Sequence, residues 1–193
     1  VGEAIKIGNQ IGETVIIMAT STGATLAAAA ALDEAAMENI GGIIFISPNF
    51  AINSRAASLL TWPFARQWVP LVIGAEQQGI ARNDLHARYW TMNYPTTALM
   101  PMAAIVAAVD QESFDDVDIP ALFYYSRQDQ VVAPDKTAEF ARSWGGASTT
   151  LIASLTADDD KFSHIIAGDI VSPNQTASAA DHILAWIKRL QSR

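Results

Sequence analysis

An α/β fold on a parallel sheet of about four strands, with a helical cap inserted in it, is what this sequence predicts. Three observations carry that expectation. Short apolar runs recur at residues 14–19, 42–47, 121–125 and 149–155, as strands buried on both faces require. Helical patterns separate these runs, and strand–helix alternation favours parallel pairing through right-handed crossovers. No flexible linker, repeat or low-complexity stretch divides the 193 residues, so a single domain spans 1–193.

Each element has its own local reason. Residues 1–12 are a mixed segment around Glu3 and Lys6, without the long apolar core of a signal peptide. Residues 14–32 carry no charge over nearly the length of a membrane span. Thr20, Ser21, Thr22 and Gly23 sit at the centre of that stretch, so it reads instead as a strand, a turn and an Ala-rich helix over 24–37. No transmembrane segment is expected. Residues 42–47 form a second strand ending in Ser47-Pro48-Asn49. Pro120 precedes the third, at 121–125, and 149–155 is a weaker fourth. Pro134 suits the first position of a helix over 134–144, and Gly145-Gly146 its stop. A last helix over 176–190 aligns Ala180, Ile183, Leu184, Ile187 and Leu190, with Lys188 and Arg189 at its C-terminal end. Residues 53–117 are too long for a crossover and rich in Trp, Tyr and apolar residues. They read as a helical cap insertion, the alternative being ordinary extra helical packing.

Composition removes whole classes of function. Half the residues are hydrophobic and 17% are charged, which excludes a disordered chain. The net charge is −8 and no basic run occurs, so neither nucleic acid nor an anionic membrane is an expected partner. There is no cysteine, which excludes disulfides, thiolate zinc sites and cysteine nucleophiles but does not choose between cytoplasm and export. No G-x-G-x-x-G and no P-loop lysine follows any strand, so no cofactor is implied.

The chemistry begins at Ala19-Thr20-Ser21-Thr22-Gly23. A hydroxyl on a sharp strand-to-helix turn with small residues two positions away has the pattern of a nucleophile elbow. Bulky flanking side chains would collide with adjacent backbone there, and the following helix points its free N–H groups at the nucleophile. The alternative is a Ser/Thr turn capping an ordinary helix. A serine nucleophile needs a base, and three histidines are available. His86 lies in the cap and reads as a surface or interdomain residue. His182 falls on the polar side of the last helix. His164 follows the last strand, after Asp158, Asp159 and Asp160, at the sheet edge where sites form in such folds. Asp129, after the third strand, is the candidate carboxylate, with Asp158 to Asp160 as fallback partners. Asp135 suits a first-turn helix position. A metal held by those aspartates and His164 is disfavoured, because contiguous carboxylates point apart. The order Ser21, Asp129, His164, each after a different strand, is the joint signal.

The segments VIIMATSTGATLA, GGIIFISP, IPALFYYSRQDQVVAP and FSHIIAGDIVSP resemble the C-terminal part of an α/β-hydrolase, close to the lysophospholipase, carboxylesterase and serine-aminopeptidase-like branch. The resemblance covers nearly the whole chain and implies family strands five to eight. It implies Ser21 as nucleophile, His164 as general base and acid, Asp129 as orienting carboxylate and the Thr22 N–H in an oxyanion hole. It also implies a small-molecule ester or acyl substrate and no cofactor. Ala19 departs from the usual glycine. The family nucleophile follows the fifth strand, whereas Ser21 follows the first one here, and the chain opens on Val1 rather than Met. The expectation is therefore a hydrolase domain lacking its N-terminal strands and its second oxyanion donor. Its apolar edge at 14–19 would pair with a missing N-terminal segment or another chain. The expected function is a serine hydrolase of acyl-lipid or short-chain carboxylic esters acting through an acyl-enzyme. The alternatives are a non-catalytic α/β-hydrolase-like binding module or inactive truncated form and, within the class, a peptidase or amidase.

Overall fold

The structure, a computed structural model, describes residues 1–192. In chain order it comprises α1 (Gly2–Ile11), β1 (Val15–Thr20), α2 (Thr22–Ala31) and β2 (Ile40–Ile46). There follow α3 (Ala65–Ile73), β3 (Glu76–Gln78), α4 (Asp84–Tyr89), β4 (Asn93–Pro95) and α5 (Leu99–Val109). The chain returns through β5 (Ala121–Tyr125), α6 (Pro134–Ser143), β6 (Ser148–Ile152) and α7 (Thr176–Gln191). The main sheet has the order β1-β2-β5-β6, and every pairing in it is parallel.

Strand alternation divides the core into two faces. Ile43, Phe45, Ala121 and Phe123 point to one side, against Ala24, Ala27, Ala28 and Ala31 of α2 and Ala141 and Trp144 at the end of α6. Ile44, Leu122 and Tyr124 point to the other, against Ile166 and against Ala179, Ile183 and Trp186 of α7. Each fully buried Ile, Leu or Phe on β2 and β5 contributes about 1.5–3 kcal/mol by leaving water. The two central strands are therefore the continuous apolar runs, while β6 alternates exposed and half-buried residues. On β1 the outer side is open: Met18 is 56% exposed, and Val15, Ile16 and Ile17 are only half-buried.

Several local readings change. Residues 1–12 are not merely a mixed segment, since α1 occupies most of them and buries Ile5 in the core. The helix expected over 24–37 starts at Thr22 and stops at Ala31, where a turn takes over and the Asp33 carboxylate accepts the Ala36 N–H at 3.2 Å. The stripe of α7 is rotated from the expected one. Ala179, Ile183 and Trp186 are buried and Leu184 is 53% exposed. The cause is Trp186, whose ring fills the space over Gly42; a Cβ there would lie 2.8 Å from the indole. Within 53–117 the helices are interrupted by the antiparallel β3–β4 hairpin. α5 packs on α2, and Val109, Phe114 and Val117 join the main core.

Candidate active site

The elbow is where β1 hands over to α2. Ser21 lies between them with φ 52° and ψ −123°, a left-handed strain of order 1–3 kcal/mol for a residue with a Cβ. Its N–H donates to the Ile46 carbonyl at 3.0 Å, which ties the turn to the end of β2. The loop after β2 braces the same turn. Asn49 N–H donates to the Ser21 carbonyl at 3.1 Å, and its Nδ2 donates to Thr22 Oγ1 at 3.2 Å. Thr25 Oγ1 closes the set by donating to the Asn49 carbonyl at 2.6 Å. Thr22 opens α2, so its N–H belongs to the donors a helix leaves free at its N-terminus. The crowding expected around Gly23 is not present: Gly23 is exposed and a Cβ there meets nothing within 4 Å.

Asp129 sits in the loop after β5 and is 3% exposed. Its Oδ1 accepts the N–H groups of Val131 at 2.8 Å and Val132 at 2.9 Å. Its Oδ2 lies 2.8 Å from His164 Nδ1. With a carboxylate as partner, Nδ1 carries the proton and donates, which leaves Nε2 as an acceptor. His164 Nε2 is 3.1 Å from Ser21 Oγ. The structure thus brings Ser21, His164 and Asp129 into one line, from the segments that follow three parallel strands and across 143 and 35 positions of sequence. Such a line can pass a proton between the hydroxyl and the ring.

The other candidates fall elsewhere. His182 is exposed on α7, edge-on to Tyr124. His86 is half-buried in α4, and its Nδ1 accepts the Arg82 N–H at 3.2 Å. Asp135 is in the first turn of α6. Asp159 and Asp160 are buried but neither is the ring partner of His164. Burial works to raise the Asp159 carboxyl. Donors from Thr156 N–H, Gln175 Nε2, the Thr156 hydroxyl and the Asn174 N–H together hold it below its ordinary value. Among the described residues no cluster of carboxylates and histidines is arranged to hold a metal, and no helix is long and apolar enough to cross a membrane.

Asn49 and Arg82 also belong to this region, and no motif in the sequence marks them for it. Asp160 was read only as a fallback partner of His164. Its carboxylate instead accepts main-chain N–H groups of the His164 loop. The bonds of Arg82 to this loop span 77 and 89 positions, and no spacing in the sequence signals them.

A parallel sheet with a strained serine elbow after one strand, and a carboxylate and a histidine after later ones, defines the α/β-hydrolase class. Over residues 3–157 the chain matches the family of serine aminopeptidases, S33, and it belongs to that family. No curated protein matches it in sequence. Among solved structures it is similar to one described with LipS and LipT, two metagenome-derived lipolytic enzymes, at TM-score 0.68 and 18% identity, covering 97% of this chain and 70% of that one. It is also similar to a soluble variant of monoglyceride lipase from Saccharomyces cerevisiae in complex with a substrate analog, at TM-score 0.62 and 14% identity, covering 97% and 66%. A third is the monoacylglycerol lipase of Paleococcus ferrophilus, at TM-score 0.54 and 16% identity, covering 78% and 63%. At these identities the likeness is one of fold. The chain spans about two thirds of the length of these structures.

Proposed function

We propose that this chain carries the catalytic residues of a serine hydrolase that cleaves carboxylic esters through an acyl-enzyme. The observation that carries the reading is the line Ser21 Oγ, His164 Nε2, His164 Nδ1, Asp129 Oδ2, with gaps of 3.1 and 2.8 Å. Ser21 attacks the ester carbonyl while His164 Nε2 takes its proton. The buried Asp129 carboxylate stabilises the imidazolium that forms. The ring then returns the proton to the departing alcohol. In the second half His164 activates water, and the acid is released from Ser21. The Thr22 N–H, at the positive end of α2, is the candidate donor to the oxyanion.

In this reading segment 53–117 is a cap over the site. Four contacts support that: Asn49 Nδ2, which also donates to Thr22, lies 3.3 Å from Met102 Sδ of α5, Arg82 donates to the Asp159 and Val171 carbonyls, and Asn83 donates to that of Ile170. The segment exposes the apolar and aromatic side chains of Trp62, Phe64, Leu71, Val72 and Tyr89, a composition better suited to an acyl chain than to a charged peptide. The description of the family as serine aminopeptidases favours a second reading, hydrolysis of an aminoacyl amide by the same residues. A fluorophosphonate probe tests the common chemistry: labelling of wild type that disappears in Ser21→Ala is expected, and labelling that survives the substitution rejects Ser21 as nucleophile. A p-nitrophenyl ester chain-length series run beside an aminoacyl amide then separates the readings, and preference for the amide overturns the ester assignment.

A further inference from the structure

The loop that presents His164 is not held by the relay itself. Its strain is visible at Ser163, which has φ 53° immediately before the histidine. A residue in that region returns to an ordinary conformation unless its surroundings fix it. One carboxylate does the fixing. Asp160, 6% exposed, accepts the His164 N–H at 3.0 Å and the Ile165 N–H at 2.9 Å on Oδ2, and the Phe162 N–H at 3.3 Å on Oδ1. Its own N–H donates to Ser172 Oγ at 3.0 Å, and that hydroxyl donates to the Ile165 carbonyl. The loop is therefore wound around one buried anion.

The cation facing that anion comes from another part of the molecule. Arg82, just before α4, places Nη2 3.5 Å from Asp160 Oδ1. Its Nη1 donates to the carbonyls of Asp159 at 3.2 Å and Val171 at 3.3 Å. The neighbouring Asn83 donates to the Ile170 carbonyl at 2.8 Å. A planar guanidinium with several fixed donors suits such a multi-point clamp, which an ammonium group cannot reproduce. These groups lie 77 or more positions apart, so the pairing joins segment 53–117 to the histidine loop.

We propose that Asp160 and Arg82 are positioning residues for His164: the Asp160 carboxylate fixes the main chain on which the imidazole stands, and Arg82 holds that carboxylate from segment 53–117. This rests on the reading of His164 as the base. Neither residue touches the reacting atoms. Their effect is to keep Nε2 at bonding distance from Ser21 Oγ, and a displacement of about 1 Å there costs up to about 10²-fold in rate.

The test measures kcat and KM for a p-nitrophenyl ester together with the rate constant and end point of fluorophosphonate labelling. It compares wild type with Asp160→Asn, Arg82→Gln and Arg82→Lys, with thermal unfolding in parallel. Asp160→Asn is expected to lower kcat and the labelling rate constant by about 10- to 100-fold, with KM changed by less than about threefold and the labelled end point unchanged. Arg82→Gln is expected to lower the same two rates by about tenfold, and Arg82→Lys to recover only part of that loss. A purely structural role would instead lower the labelled end point at an unchanged rate constant, and that result overturns the proposal. If Asp160→Asn does not fold, the more exposed Arg82 decides: wild-type rates in Arg82→Gln overturn the proposal and reduced rates support it. Active wild type with unchanged variants defeats the positioning role alone. Wild type that neither labels nor turns over defeats the hydrolase reading and this proposal together.

Discussion

Asp129 divides its two carboxylate oxygens between different tasks. Oδ1 takes the N–H groups of Val131 and Val132, and Oδ2 faces His164 Nδ1. In Asp129→Asn the amide oxygen keeps the main-chain bonds, so the amide nitrogen is left facing the ring. It then donates to Nδ1, the ring proton moves to Nε2, and Nε2 no longer accepts from Ser21. The expected result is a fall in kcat of about 10⁴-fold with unfolding temperature and KM near wild type, read from steady-state ester hydrolysis. A fall of less than tenfold would mean that the tautomer is not set by Asp129. The three residues of this line were legible in the sequence because each follows its own apolar strand run, in a fixed order. Asn49 was not, since it braces the elbow from the loop after another strand, through its main chain and its Nδ2; Asp160 was legible only as a fallback ring partner, since the N–H groups it accepts are ones any residue supplies. Arg82 was not, since its partners lie 77 and 89 positions away.

Among the elements, the Gly145-Gly146 pair corrects a sequence-level explanation. Both were read as the stop signal of α6, and α6 does end at Ser143. Neither glycine adopts a positive φ, so conformational freedom is not the reason for them. A Cβ at Gly145 would run into the Asp115 carbonyl, and one at Gly146 into the Ile119 carbonyl. The pair lets two main chains pass at close range just before β5 and β6 align. Backbone cannot yield as a flexible side chain does, so Gly146→Ala is expected to destabilise the fold by about 1–3 kcal/mol or more. Urea unfolding measures this, and a cost below about 0.5 kcal/mol would show that the crossing is loose. The α7 stripe teaches a related lesson. Periodicity placed Leu184 inward, whereas the structure buries Trp186 and exposes Leu184, with the indole filling the gap over Gly42 on a strand far away in sequence.

For the whole molecule, the alternation of apolar runs and helices was enough to predict the layered α/β architecture. The core is built from contacts between consecutive strand–helix units, which leave their pattern in the sequence. The antiparallel pair β3–β4 left no such pattern, because its strands are three residues each and mostly exposed, whereas the apolar run of α5 did, and its Ala103, Val106 and Val109 are buried as extra helical packing would have it. Stability against acid is also a property of the whole fold. The Asp159 carboxyl is held below its ordinary value by its donors despite burial. A carboxyl depressed on folding stabilises the native state above its unfolded value, about pH 3.9, and loses that contribution as pH falls through the lower folded value. Asp159→Asn is therefore expected to be less stable than wild type at neutral pH, with the gap closing below about pH 4. Denaturant unfolding across a pH series checks this, and a gap that persists or widens in acid would contradict it.

The central claim is that the Ser21–His164–Asp129 line forms a covalent acyl intermediate on Ser21. Rapid acid quench of the protein turning over a p-nitrophenyl ester, followed by peptide mass mapping, tests it most directly. The expected result is one acyl group on the peptide containing Ser21, together with a burst of p-nitrophenol, both absent in Ser21→Ala. Steady turnover with no acyl group on that peptide, or turnover retained in Ser21→Ala, would contradict the account.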